Sequence, residues 1–305
     1  MRQQYLDQVR LLIEMLPLIM REKEFAVKGG TAINFFIRDI PRLSVDIDLV
    51  YLPIQDRAAT LEAISNGLKR VKGRIVSQGR ELIVKEKRIT GDHIVSLYVT
   101  KGNRAVKIEA NTIFRGSVFS SGEREVSTAL SERFAINLFA EARTLSVPDL
   151  YGSKICAALD RQHPRDLFDI KVLFEYEGIT GEIMKAFVVY CACHDRPMHE
   201  LLAPNRSDMR PAFENEFAGM TDRPVTCEEL EAVRERLVSE IQNGLTPAQK
   251  NFLVSMKQGE PMWDLLGLPG IERLPALQWK CANIRAMDKA KQADMLEKLK
   301  AVLKT

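Results

Sequence analysis

Two short stretches of the chain hold residues whose types and spacing suit phosphate chemistry: Val27-Lys28-Gly29-Gly30-Thr31 and Ser44-Val45-Asp46-Ile47-Asp48-Leu49. In a strand, successive side chains point to opposite faces, so Ser44, Asp46 and Asp48 share one face and Val45, Ile47 and Leu49 the other. Two carboxylates at this spacing repel each other. A hard divalent cation removes the repulsion, and Mg²⁺ favours carboxylate oxygens together with substrate phosphates. The glycine pair lets the backbone approach a ligand closely, and a helix starting directly after it presents N–H groups suited to phosphate. An exposed edge strand with polar alternation would show the same Asp-x-Asp pattern. A third carboxylate sharpens the choice. Glu109 lies in Ala105-Val106-Lys107-Ile108-Glu109-Ala110, flanked by Ile108 and Ala110 and therefore facing away from them. If that strand pairs beside residues 45–50, Glu109 joins Asp46 and Asp48. Three acids can hold two metal ions for an in-line displacement at phosphorus.

A second group lies between Asp149 and Ile170. Lys154, Ala158 and Arg161 fall on one helix face, and the small residue between the two cations leaves room for a phosphate chain. Pro164 is placed to open the next helix. On that helix Asp166 falls inside an apolar arc between Ile170 and Leu173, and a carboxylate there needs a partner. Two readings stay open. Asp166 forms a structural ion pair with Arg161 or Lys154, or it orients the lysine against a triphosphate. Ser44, two residues before Asp46, also faces the acids. A phosphoryl or nucleotidyl group on it would add negative charge there and silence the protein; the competing reading is a hydroxyl bonded locally.

Several elements must position these groups. Tyr5, Val9, Leu12, Leu16 and Ile19 recur every three or four residues, which is an amphipathic helix. Phe25–Val27 reads as a short strand, Thr31–Ile37 as a helix, Leu43–Tyr51 as a strand and Gln55–Lys69 as a helix. Strand patterns follow near Leu82–Val84, His93–Thr100 and Ala105–Thr112. After about residue 145 the character changes. Ser146-Val147-Pro148-Asp149 is a helix-start signal, and helices are expected over 148–161, 164–176, 180–194, 227–242, 247–257, 278–287 and 290–303. Asn205–Pro224 reads as the longest loop. The expectation is an α+β or α/β unit with a small mixed sheet (1–145), α+β for the chain as a whole with an all-helical domain (146–305) that contributes Lys154, Arg161 and Asp166 to the cleft.

Composition excludes other classes. The chain has 305 residues, 46% apolar and 28% charged, which is globular rather than disordered. No apolar run reaches the roughly 18 residues of a membrane-spanning helix, and Asp7 and Glu14 interrupt the first apolar stretch, so neither a membrane span nor a signal peptide is expected. Five cysteines do not make a secreted disulfide framework, so a cytoplasmic location is expected. Net charge is only +3, but Gly67–Arg88 carries eight basic residues against two acidic ones. Such a strip suits a nucleic-acid backbone, or it is a solvated helix end and strand. Cys191-x-Cys193-His194-x4-His199 matches no common zinc spacing. His163 reads as a cap of the helix at Pro164. Phe35, Phe36, Cys156, Trp279 and Cys281 read as core.

Taken together, Gly29-Gly30-Thr31, Arg42-Leu43-Ser44-Val45-Asp46-Ile47-Asp48, Ile108-Glu109, and Lys154 with Arg161 and Arg165-Asp166-Leu167-Phe168-Asp169 resemble the AbiEii/AbiGii nucleotidyltransferase toxins of the DNA polymerase β-like superfamily. Leu274–Ile284 resembles that family's C-terminal helix. Threonine follows the glycines where many members carry serine. The resemblance implies that Asp46, Asp48 and Glu109 hold Mg²⁺ or Mn²⁺. Gly29, Gly30 and Thr31, with Arg42 and Ser44 nearby, would take the nucleotide. Lys154 and Arg161 would compensate the triphosphate, and Asp166 or Asp169 would complete the site. It further implies a toxin of a two-gene toxin–antitoxin system that transfers nucleotides from a nucleoside triphosphate to RNA, in particular the tRNA 3′ acceptor end, and so blocks translation. Its partner would be an antitoxin from a neighbouring gene. The alternatives are nucleotidyl or phosphoryl transfer to a protein or small molecule, and a catalytically idle nucleotide- or RNA-binding module.

Overall fold

A computed structural model of the chain describes residues 1–134 and 141–305. It divides into two compact units, Met1–Ser146 with Gly219–Arg223, and Val147–Ala218 with Pro224–Thr305.

The first unit is built on a mixed sheet of order β3-β4-β5-β2-β1-β7-β6. In chain order its elements are α1 (Gln3–Ile19), β1 (Phe25–Lys28), α2 (Gly29–Ala32), β2 (Asp46–Tyr51), α3 (Arg57–Val76), β3 (Leu82–Ile89), β4 (His93–Lys101), β5 (Arg104–Asn111), β6 (Gly122–Glu125), α4 (Thr128–Phe134) and β7 (Glu141–Thr144). Strands β3, β4 and β5 form an antiparallel meander, β5 runs parallel to β2, and β2 runs antiparallel to β1. Helices α1 and α3 pack against β3–β5. They cover the face carrying Leu97, Val99, Val106 and Ile108, all buried. The opposite face carries Ser96, Tyr98, Lys107 and Glu109, because alternation puts them there.

The structure departs from the sequence reading at four places. Helix α3 runs seven residues past Lys69, because Ile64, Leu68, Val71 and Ile75 carry the buried stripe onward. The expected helix at 31–37 is α-helical only to Ala32 and continues as a π-helix over Ile33–Ile37, with Phe35 and Phe36 buried as expected. Strands β6 and β7 are four-residue, largely polar segments too short to give a strand signal, although β7 buries Ala142 and Thr144 in alternation; β7 sits parallel beside β1 through Val27 and Thr144. The expected loop 205–224 is also structured. It contains α9 (Arg210–Ala212) and a π-helical turn (Phe213–Phe217). Its end returns to the sheet unit, where the Leu43 amide donates to the Met220 carbonyl (2.7 Å) and the Thr221 hydroxyl to the Pro41 carbonyl (2.7 Å).

The second unit is helical: α5 (Val147–Arg161), α6 (Pro164–Glu175), α7 (Gly181–Cys193), α8 (Met198–Leu202), α9, α10 (Cys227–Gly244), α11 (Pro247–Gln258), α12 (Pro275–Arg285) and α13 (Lys289–Leu303). The starts follow from the sequence. His163 caps α6 by accepting the Arg165 amide, Thr180 caps α7, and Thr226–Glu229 and Thr246–Gln249 form capping boxes for α10 and α11. Helix α12 begins three residues earlier than expected because Pro275 opens it. Helices α5 and α7 approach so closely that a Cβ on Gly152 would lie 2.7 Å from the Ala186 Cβ and the Phe187 nitrogen. Across the same pair, the Tyr190 hydroxyl donates to the buried Asp149 carboxylate (3.0 Å). Cys156 and Cys281 are core residues, as expected, whereas Trp279 is half exposed. Among the described residues no helix is long and apolar enough to cross a membrane.

Candidate active site

Asp46 and Asp48 stand on one face of β2. The parallel partner β5 aligns Asp46 with Lys107 and Asp48 with Glu109, so the third acid lies one strand away, about 4.8 Å across the ladder. On the other side β1 aligns Lys28 with Asp48, and β4 aligns Ser96 with Glu109. One row across the sheet therefore reads Ser96, Glu109, Asp48, Lys28.

The glycine pair closes over this row. Gly29 has φ +69°, in the left-handed region, and a Cβ there would lie 2.6 Å from the Asp48 Oδ2. Both the conformation and the close carboxylate require glycine. At Gly30 a Cβ would lie 2.7 Å from the Arg42 guanidinium and 3.1 Å from the Ser44 hydroxyl. Helix α2 starts at Gly29, and its capping residue Lys28 makes no side-chain capping bond. The Thr31 hydroxyl is buried; it donates to the Asp46 carbonyl (2.5 Å) and contacts the Ser44 hydroxyl (2.9 Å). Arg42 and Ser44 are buried as well, and Arg42 donates to the Leu43 carbonyl (2.8 Å). These three side chains thus fix the β2 approach under the glycines.

Two residues that the sequence reading did not single out hold Glu109. The Lys107 ammonium lies 2.6 Å from one carboxylate oxygen and the Ser96 hydroxyl 3.0 Å from the other. Burial works against the Glu109 charge. The hydrogen bonds from Lys107 and Ser96 and the charges of Lys107 and Lys87 outweigh it and hold the carboxyl below its usual range. Burial likewise opposes the Lys107 charge, but the bond to Glu109 wins and raises that ammonium above the ordinary lysine range. The signal in the sequence was Lys107 two residues before Glu109, a cation and an acid on one strand face; Ser96 becomes visible only through the β4–β5 register.

Among the described residues no group of three or more His, Cys, Asp or Glu is gathered into a metal cage. The acids share a face without converging on one point, with Glu109 engaged by Lys107. Asp46 and Asp48 nevertheless match the hard oxygen donors that Mg²⁺ takes when substrate phosphates complete its shell. The thiols at Cys191 and Cys193 offer no such set: burial pushes Cys191 up to about 12 and Cys193 higher still, which disfavours thiolate.

In the helical unit, α5 and α6 bring the second group together. The Lys154 ammonium lies 2.8 Å from Asp166 and 3.0 Å from Asp169, and the Arg161 Nε lies 2.5 Å from the other Asp166 oxygen. Asp166 is 1% exposed. Burial opposes its charge, but the Lys154 charge and the Arg161 hydrogen bond hold its carboxyl far below the usual range. Lys154 is buried with its two acids, whereas the Arg161 side chain is 63% exposed, so Arg161 is the cation of this network that faces solvent.

The basic strip at Gly67–Arg88 is not one surface. Arg70 and Arg74 pair with Glu22, Lys72 with Glu86, and Arg88 with Glu86 and Asp92. Lys85 and Lys87 instead project from β3 in register with Tyr98 and Ser96, on the face that carries the acids, and both are exposed.

The family model described as "Nucleotidyl transferase AbiEii toxin, Type IV TA system" matches residues 10–283. Among solved structures, MenT4, a nucleotidyltransferase toxin from Mycobacterium tuberculosis H37Rv, superposes with a TM-score of 0.61 at 16% identity, covering 93% of this chain and 95% of that one. No curated protein matches the chain.

Proposed function

The chain belongs to the AbiEii nucleotidyltransferase toxin family, and on that premise we propose that it transfers a nucleotide from a nucleoside triphosphate to the 3′-hydroxyl of an RNA. It is a nucleotidyltransferase from the toxin side of a toxin–antitoxin system. The observation that carries the transfer chemistry is the β2–β5 register, which sets Asp48 beside Glu109, with Asp46 on the same face and Gly29 against Asp48.

In this reading Asp46 and Asp48 hold Mg²⁺ with the substrate phosphates, and Glu109 is the third acid of the site. The ion, when bound, supplies charge compensation at the phosphates and activation of the attacking hydroxyl. The backbone of Gly29 and Gly30 receives phosphate where no Cβ intrudes. Thr31, Arg42 and Ser44 hold β2 in place beneath it. Lys107 and Ser96 hold the Glu109 carboxylate in place and in its ionised form. In the helical unit Lys154 bridges Asp166 and Asp169, and the Asp166 carboxylate orients the exposed Arg161, a cation suited to phosphate.

RNA is favoured as acceptor because Lys85, Lys87 and the exposed Tyr98 ring stand on the acid face of the sheet. Cations for the phosphates beside an aromatic ring for a base are what single-stranded nucleic acid needs. A tRNA acceptor end, and with it a block of translation, is the proposed target. The test incubates the protein with Mg²⁺, total RNA and each nucleoside triphosphate labelled at the α-phosphate. A labelled small-RNA band that depends on Asp48 supports the reading. Label on protein or a small acceptor instead would replace it with transfer to that acceptor, and no transfer with any nucleotide would leave a binding module.

A further inference from the structure

The helical unit contains a cavity of about 150 Å³ whose lining includes Asp195, Lys257, Trp279, Lys280, Met287 and Met295. Its charges are not balanced. Lys257, in the last turn of α11, is 5% exposed. Among the described residues its ammonium reaches two thioether sulfurs, at Met295 (3.3 Å) and Met287 (3.9 Å), and a thioether is a weak acceptor. The carbonyls that a lysine at a helix end normally finds are already taken: the Gln292 amide donates to those of Lys257 and Gln258, both at 3.0 Å. Burial and the charges of Lys280 and Lys291 pull the Lys257 ammonium below the ordinary lysine range. The second lining lysine, Lys280, donates to the His194 carbonyl, and the acid whose charge acts on it is Asp195, which is exposed. Among the described residues no carboxylate bonds to Lys257. Trp279, expected in the core, presents a half-exposed indole to the same cavity.

A buried ammonium without an oxygen partner is costly, and an anion beside it removes that cost. We propose that this cavity binds a small organic oxyanion, a phosphate or carboxylate on an aromatic or apolar body. The anionic group sits between Lys257 and Lys280, and the body lies against Trp279, Met287 and Met295. The site belongs to the helical unit alone and stands whether or not the acid face transfers nucleotides.

The chain has two tryptophans, so full-length Trp263→Phe protein reports Trp279 alone. Its emission is followed on titration with phenyl phosphate, with benzoate and with neutral benzyl alcohol. A saturable change with one or both anions, absent with the alcohol, is expected, and the tighter anion identifies the headgroup. Adding Lys257→Met should weaken it at least about tenfold, as loss of a buried charge partner does. That variant places a thioether chain among thioethers and removes the unpartnered charge, so its melting temperature is expected at or above the parent's. Lys280→Gln, at a less buried position, should weaken binding in the same direction. Equal titrations in the parent and both variants, an equal response to the alcohol, or no saturable response to either anion would overturn the proposal.

Discussion

Glu109 does not stand as a free carboxylate beside Asp48; Lys107 and Ser96 hold both of its oxygens. If the acid face is the catalytic one, two consequences follow. Asp48→Asn keeps the shape of β2 and removes a charge at the point where Gly29 closes on it. It should lower nucleotidyl transfer by at least ~10²-fold, measured with the α-labelled triphosphate, with an unchanged circular dichroism spectrum. Lys107→Met acts differently. The Lys107 charge keeps Glu109 ionised to lower pH than usual. Without it the carboxyl protonates at higher pH, so the acidic limb of the kcat/KM profile should move upward. A limb that stays in place would remove Glu109 from the reaction.

At the scale of elements, the α5–α6 pair rests on a buried ion network. Asp166 holds its charge between Lys154 and Arg161 and is nearly sealed from water. Its folded-state value is depressed, so its contribution to stability is full above the unfolded value of about 3.9 and is lost as pH falls toward the folded value. Asp166→Asn should therefore cost about 3–5 kcal/mol at neutral pH. In urea unfolding the gap from wild type should narrow as pH drops below about 4. Arg161 is mostly exposed, so its bond adds less than the Lys154 pair does. The α5–α7 pair rests on shape instead. Any side chain at Gly152 meets the Phe187 backbone. Gly152→Leu should destabilise by roughly 1–3 kcal/mol or more through forced separation of the helices, with the same unfolding curve as the readout.

For the whole molecule, the readout is the toxin itself. Expression of the intact chain should arrest growth, and expression of Asp48→Asn should not, as judged by colony counts at equal protein level. Growth arrest by both would separate toxicity from transfer at the acid face. Growth by both, with labelled RNA made in vitro by the wild type, would point to a missing cellular substrate.

The sequence by itself determined what depends on near neighbours along the chain. Alternation placed Asp46 and Asp48 on one face and Glu109 opposite Ile108. Helix spacing put Lys154 and Arg161 together, with Asp166 in need of a partner that both supply. Ser146-Val147-Pro148-Asp149, and Pro164 after His163, marked helix starts. Only the tertiary structure decided what depends on residues far apart in the chain. Parallel pairing of β2 with β5 made one row of Asp48 and Glu109, and the β4 register added Ser96 to it. Ion pairs with Glu22 and Glu86 divided the basic strip, leaving Lys85 and Lys87 on the acid face. The β6 and β7 strands are only four residues each and largely polar, too short for a strand signal, and they exist through their neighbours. Trp279 lies on a short helix of mixed apolar and polar residues, and whether its ring was buried depended on which side of α12 the rest of the unit covers. Periodicity is a local property of a backbone, whereas pairing, register and burial are set by the surfaces that distant segments bring together.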